Sequence, residues 1–177
     1  MVKEKTQQEE FLSLYEPIQQ RISNYCRVIT CNNEHAKDLL SDTILSAYSN
    51  FDKIRNKELF IYYLFGTASR LFKKYLKKKK DFNNSINLLP DLKYEESKWD
   101  DTDFLYYLLE QLPIEQKQTI ILFEINGFSI KEICKIQGTS ESAVKSRLKR
   151  GREKLSIILK KIEKSNEKVK VASYGNI

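Results

Sequence analysis

A chain of 177 residues, 41% hydrophobic and 31% charged, has room for one domain or two small ones and excludes a large multidomain enzyme. Only five Gly and three Pro stand among many Leu, Ile, Lys, Glu and Gln, a bias toward helix formers that excludes turn-rich sandwiches. The net charge of +7 is uneven: residues 1–80 carry 15 Lys/Arg against 9 Asp/Glu, residues 81–103 carry 2 against 7, and residues 104–177 carry 14 against 8. Two basic bodies therefore flank an acidic stretch, a pattern suited to a polyanion.

No run approaches the roughly 18 apolar residues of a membrane span, and Met1-Val2-Lys3-Glu4-Lys5 has no apolar stretch behind it, so a soluble, cytoplasmic protein is expected. Cys26, Cys31 and Cys134 form neither an even framework nor a CxxC pair, which predicts reduced thiols and no zinc ribbon.

Apolar positions at Phe11, Leu12, Tyr15, Ile18, Ile22, Tyr25, Cys26 and Ile29 step by three and four and predict one helix. After a polar break at Asn32-Asn33, a second series runs from Ala36 through Leu39, Thr43 and Ala47 to Phe51. A polar loop over Asp52–Lys57 precedes a third helix from Leu59 to Leu76, rich in aromatics that are mostly core. Its lysines, Lys73, Lys74 and Lys77–Lys80, suit a helix C-terminus and equally suit phosphate contact. Residues 81–103, acidic and holding Pro90, read as a linker whose Ile86, Leu88, Leu89 and Trp99 cannot form a core of their own and could dock on a partner.

Helical order resumes at Phe104 and continues past Pro113 to Ile125. Asn126-Gly127 signals a turn, and Ser129-Ile130-Lys131-Glu132 fits a capping box. A short helix, a tight turn at Gly138-Thr139-Ser140, and a longer basic helix burying Val144, Leu148 and Leu155 make a helix-turn-helix. Its second helix carries Lys145, Ser146, Lys149 and Arg150, with Arg147 and Arg152 beside them, on or near the face opposite Val144 and Leu148, where cations can reach guanine edges or phosphates. The alternative for such a face is a solvated amphipathic helix. The expected organisation is all-α: residues 1–80 a helical domain, 81–103 a flexible acidic linker, 104–164 a helix-turn-helix domain, and 165–177 a disordered tail.

Leu112-Pro113, the stretch from Ile121 to Ile133 and the stretch Ala143-Val144-Lys145-Ser146-Arg147-Leu148-Lys149-Arg150-Gly151-Arg152 resemble region 4 of bacterial sigma factors, most closely the extracytoplasmic function (ECF) class. Cys134, Ser142-Ala143 and Gly151 replace an Ala, a Gly-Thr and an Ala of that pattern, small for small. The stretch Ala36-Lys37-Asp38-Leu39-Leu40-Ser41-Asp42-Thr43-Ile44-Leu45-Ser46-Ala47-Tyr48 resembles the polymerase-gripping helix of region 2, with Ser41 in place of a Gln. Tyr62-Tyr63-Leu64-Phe65-Gly66-Thr67-Ala68-Ser69-Arg70 resembles the segment beside the minus 10 element, with Tyr63 for Trp and Arg70 for Asn.

The resemblance implies a transcription initiation factor that binds core RNA polymerase, recognises minus 35 and minus 10 elements and promotes melting. It implies that Lys131, Ser140, Glu141, Ser142, Lys145, Ser146, Arg147, Lys149 and Arg150 meet minus 35 duplex. By the same carry-over Lys53, Arg55, Asn56, Lys57, Tyr62, Tyr63, Arg70, Lys73 and Lys74 meet the minus 10 single strand, where a flipped base is captured at a cost of a few kcal/mol. Asp38, Leu39, Ser41, Asp42 and Tyr48 then face the polymerase clamp. An anti-sigma factor is a further implied partner, and no cofactor, metal, small-molecule substrate or membrane insertion is expected. Nucleotide-binding, hydrolase and metalloprotease signatures are missing, and the carboxylate pairs lie in the linker, which argues against catalysis. A stand-alone helix-turn-helix regulator, reading paired half-sites as a dimer, is the alternative within DNA binding. A module whose basic faces bind an acidic protein or a membrane is the alternative outside it.

Overall fold

A computed structural model describes residues 6–83 and 100–174, and all regular structure among them is helical. Helix α1 (Gln7–Tyr15) opens on a capping box: Thr6 accepts from the Glu9 N–H at 3.3 Å and the Thr6 N–H donates to the Glu9 carboxylate at 2.9 Å. The single first helix expected from the apolar series is broken at Pro17 into α1, a tight turn over Glu16–Ile18, and α2 (Gln19–Thr30). Proline lacks the N–H that a continuous helix needs, so both segments keep one apolar stripe but change axis. Asn32 caps α3 (Asn33–Ser49) by accepting from the His35 N–H at 2.9 Å. Two short turns, Phe51–Lys53 and Lys57–Leu59, lead to α4 (Phe60–Asn83).

In this first unit α2 packs on α3 and α3 on α4. The core holds Phe11, Ile22, Tyr25, Ile29, Ala47, Phe51, Phe60, Leu64 and Phe65. The ring of Phe11, from α1, meets Tyr48, Phe51 and Phe60 edge to face at 5.2–5.4 Å, so aromatics close this core at one end.

The lysine run does not end α4, which carries on to Asn83. No Gly or Pro interrupts residues 67–83, and lysine is a good helix former. The expected linker lies outside the described residues over 84–99. Asp100 accepts from the Thr102 and Asp103 N–H groups at 2.8 Å each and starts α5 (Asp101–Glu110), three residues earlier than the helix start that the apolar pattern predicts.

Helix α6 (Ile114–Ile120) starts immediately after Pro113 and passes into one wider turn over Ile121–Ile125. Gly127 has φ 68°, which only glycine adopts without cost, and reverses the chain. The Ser129–Glu132 capping box forms as the spacing predicts and opens α7 (Ile130–Gln137), which ends on Gly138 at φ 62°. Helix α8 (Glu141–Tyr174) is far longer than a reading helix requires. Its backbone continues over most of the stretch expected to be a disordered tail, because lysine and glutamate without Gly or Pro sustain a helix as well as they sustain a solvated coil. Helices α6 and α7 pack on α8 around Ile120, Ile121, Leu122, Ile133, Val144 and Leu148. No described helix is long and apolar enough to cross a membrane.

The two units also pack on each other, chiefly through α4 and α7. Gly66 makes this approach possible, since a Cβ there would lie 2.8 Å from the Ile136 carbonyl oxygen.

Candidate nucleic-acid and partner interfaces

On the helix-turn-helix, the side chains of Lys131, Ser140, Glu141, Ser142, Lys145, Lys149 and Arg150 are all exposed, and Ser146 is half-buried. Lys145 and Lys149 reach Glu141 and Glu153 one turn away at 3.4 and 4.0 Å, solvent-screened pairs that a phosphate can replace at little cost. Ser140 caps α8 by accepting from the Ala143 N–H at 3.3 Å and shares a hydroxyl contact with Ser142. Arg147 is the exception in this group. It is half-buried and donates to Gln137 Oε1 at 2.7 Å, while the Gln137 amide donates to Thr119 at 3.1 Å, so Arg147 joins α8 to α7 and α6 from within. Arg152 is engaged as well, gripping Glu124 through Nε at 2.8 Å and Nη2 at 2.6 Å. Replacing Arg147 by Ala should lower stability by about 1 to 2 kcal/mol in thermal or urea unfolding, with no change in base preference. A preserved melting temperature with relaxed DNA specificity would return Arg147 to the duplex face.

The expected single-strand residues gather in part. Lys53, Arg55, Asn56, Tyr62, Tyr63 and Arg70 line one hollow of about 500 Å³. Asn50, Ile54 and Leu59 complete its wall on the same unit, and Lys135 and Ile136 of α7 close it from the other unit. Lys57 belongs to the fold, its ammonium donating to the Phe51 carbonyl at 2.9 Å and lying 3.3 Å above the Phe51 ring. Lys73 pairs with Glu115 at 3.3 Å across the two units. Lys74 lies in a second groove with Asp38, Ser41, Asp42, His35 and Tyr75.

Asp38, Ser41, Asp42 and Tyr48 are exposed on α3, but Leu39 is 7% exposed and fills the core under that helix. The helical period turns Leu39 away from the face of its neighbours. Leu45, which the sequence reading did not single out, is 65% exposed and lies one turn from Asp42 and Ser41 on the same face. An apolar side chain breaking a polar face at that spacing is the signal that marks it.

The contact between the units was not legible in the sequence at all. Arg21 donates to the Asn126 carbonyl at 2.7 Å and lies 4.5 Å above the Phe128 ring. Phe128 in turn meets Phe65 edge-on at 4.8 Å. The Tyr62 hydroxyl donates to Glu132 Oε1 at 3.0 Å, with the Lys135 ammonium 5.0 Å over the Tyr62 ring. Ser69 carries a buried relay, its hydroxyl against the Tyr25 hydroxyl at 2.7 Å and its carbonyl accepting from the Gln118 amide at 3.0 Å. The Ser129 backbone N–H and hydroxyl hold the Glu132 carboxyl below its ordinary value. Burial, and then the bond to Glu132, pushes the Tyr62 phenol up. Both shifts keep the donor and acceptor in matching states at neutral pH. Burial lifts the Cys26 thiol to about 12, which leaves it inert in the core. Among the described residues no group of three or more His, Cys, Asp and Glu could hold a metal ion.

Comparison with known proteins assigns each unit. A family model described as sigma-70 region 2 matches residues 14–82, and one described as sigma-70, region 4 matches residues 105–155. The chain is 29% identical over 132 residues to the ECF RNA polymerase sigma factor EcfG of Rhodopseudomonas palustris (strain TIE-1), spanning 72% of this chain and 73% of that protein. It is 30% identical over 134 residues to the RNA polymerase sigma factor SigV of Bacillus subtilis (strain 168), spanning 73% and 79%. The fold is that of the sigma factor RpoE solved in complex with the anti-sigma factor NepR from Bartonella quintana, with a TM-score of 0.72 at 21% identity over 85% of this chain and 96% of that one.

Proposed function

From the premise that this chain belongs to the sigma-70 family, as an ECF-type sigma factor acting in transcription initiation, we propose a division of labour among its faces and a closed resting form. As a sigma factor the chain is not an enzyme. The polymerase makes the bonds, and the factor supplies recognition.

Three faces divide that task. Lys145, Lys149 and Arg150, with Ser140 and Ser142 at the start of α8, read the minus 35 duplex from the major groove. The hollow bounded by Tyr62, Tyr63, Arg55 and Arg70 holds an unpaired base of the minus 10 strand, stacking it on an aromatic face beside a cation. The α3 face of Asp38, Ser41, Asp42 and Leu45 docks on core polymerase, with Leu45 as the apolar anchor. An anti-sigma factor is a further partner, as it is for the structurally similar RpoE, and the setting of all these partners is the cytoplasm.

The observation that carries the reading is the interdomain contact. Minus 35 and minus 10 elements lie about 25 base pairs apart, or about 85 Å at ~3.4 Å per pair, whereas here α4 and α7 are in van der Waals contact. The two units cannot sit on both elements in this arrangement, and α7 walls the minus 10 hollow. The closed form is the promoter-incompetent one, and polymerase binding parts the units.

Substituting Arg150 or Lys145 by Ala should weaken binding to a minus 35 duplex by about 1 to 3 kcal/mol in a titration at fixed salt. If affinity is unchanged at both low and high salt, those side chains are not at the DNA.

A further inference from the structure

One interdomain contact has a chemistry that promoter binding does not use. Lys117, on α6, is 6% exposed, yet its ammonium finds no carboxylate among the described residues. Its partners are the Cys31 sulfur at 3.3 Å and the Phe72 ring at 5.8 Å. Cys31 belongs to the other unit, 86 positions away, and ends α2 with φ 51° in the left-handed region, where side chains other than glycine are strained. That backbone turn aims a half-buried thiol at the lysine, with the Val28 carbonyl 3.3 Å behind it. An amine nitrogen and an oxidisable, half-buried sulfur are thus held together across the joint between the two units.

We propose that Cys31 and Lys117 form an oxidation-dependent covalent cross-link that locks the two units in the closed form. Hydrogen peroxide oxidises the Cys31 thiol by two electrons to a sulfenic acid and is itself reduced to water. The Lys117 ammonium releases a proton, and its nitrogen lone pair attacks the sulfur. The S–N bond forms as the S–O bond breaks, and the departing oxygen takes a nitrogen-bound proton and leaves as a second water. Thiol, amine and one peroxide give one sulfenamide and two waters, and a thiol reductant reverses the bond. Burial lifts the Cys31 thiol while Lys117 works against that rise, so the reaction quickens in mild alkali. Cys26, fully buried, and Cys134, in α7, serve as internal controls.

The test treats the full chain with hydrogen peroxide at about pH 8.5, then counts free thiols and maps peptides by mass spectrometry. The expected result is a peptide pair joined between Cys31 and Lys117, two alkylatable thiols left of the three, and full reversal by dithiothreitol. Lys117→Arg, which keeps the charge without an amine nucleophile, should yield no joined pair. A disulfide leaving one free thiol, or Cys31 carried to sulfinic acid with Lys117 unlinked, would overturn the proposal. The locking role rests on the closed-form reading above and has its own readout. Cross-linked chain should support transcription by core polymerase at least tenfold less than the same sample after reduction. Full activity of the linked chain would overturn the lock. A reduced chain that fails to initiate would count against the promoter reading and leave the chemistry standing.

Discussion

Reversing Asp38 and Asp42 together, each to Lys, should weaken association with core RNA polymerase by about a hundredfold, near 2.8 kcal/mol, while the chain stays folded. The two carboxylates lie one turn apart on α3, both exposed, and neither makes a hydrogen bond or ion pair within the described residues. Their change of sign therefore breaks no hydrogen bond or ion pair of the fold, whereas a basic partner surface would meet two like charges. Leu45→Ala, removing a side chain 65% exposed in the free chain, should add a smaller loss on the same surface. Co-elution with core polymerase and helical circular dichroism measure the two halves of this expectation. Retained association by the doubly reversed chain would remove α3 from the polymerase interface.

Gly66→Ala should open the molecule. In the closed form the added methyl would lie 2.8 Å from a backbone oxygen of Ile136, a contact that only a backbone shift relieves. The same change favours α4 itself by about 1 kcal/mol, because alanine is the better helix former. Helix and interface are thus pushed in opposite directions, and the interface has to yield. The radius of gyration in small-angle scattering should rise from about 16 Å, the value for a compact chain of this length, toward ~20 Å. Freed of α7, the hollow at Tyr62 and Tyr63 should bind single-stranded minus 10 DNA at least tenfold more tightly. Gly151→Ala is the control: its methyl meets the Ile120 side chain of the same unit at 3.0 Å and does not touch the joint. An unchanged radius for Gly66→Ala would mean that the contact of α4 with α7 is not what closes the chain.

Features governed by neighbours in the chain were legible in the sequence. The 3.6-residue period located the helices, and the Ser129–Glu132 box and Gly138 located the helix-turn-helix, because caps and left-handed turns follow from a few adjacent residues. Pro17 carries the same kind of local signal, and the apolar stripe running through it concealed the break. The inward bond of Arg147 is not legible for a different reason. Its charge and its position on α8 match those of Lys145 and Arg150, and only the tertiary position of Gln137 turns it inward. Lys117 and Gln118 look like solvent-facing residues of a short helix, and they are buried because a second unit covers them. Contacts such as Arg21 with Phe128 join positions more than a hundred residues apart and leave no periodicity to read.

The most direct measurement is the distance between the units in the free chain and in an active promoter complex. Labels at the exposed positions Lys37 and Lys154, introduced as non-natural side chains so that the cysteines stay untouched, report it by energy transfer. The separation should be short in the free chain and lengthen by several tens of ångströms when core polymerase and promoter DNA are added, toward the ~85 Å between the two elements. The same short separation in a complex that starts transcription at defined sites would contradict it.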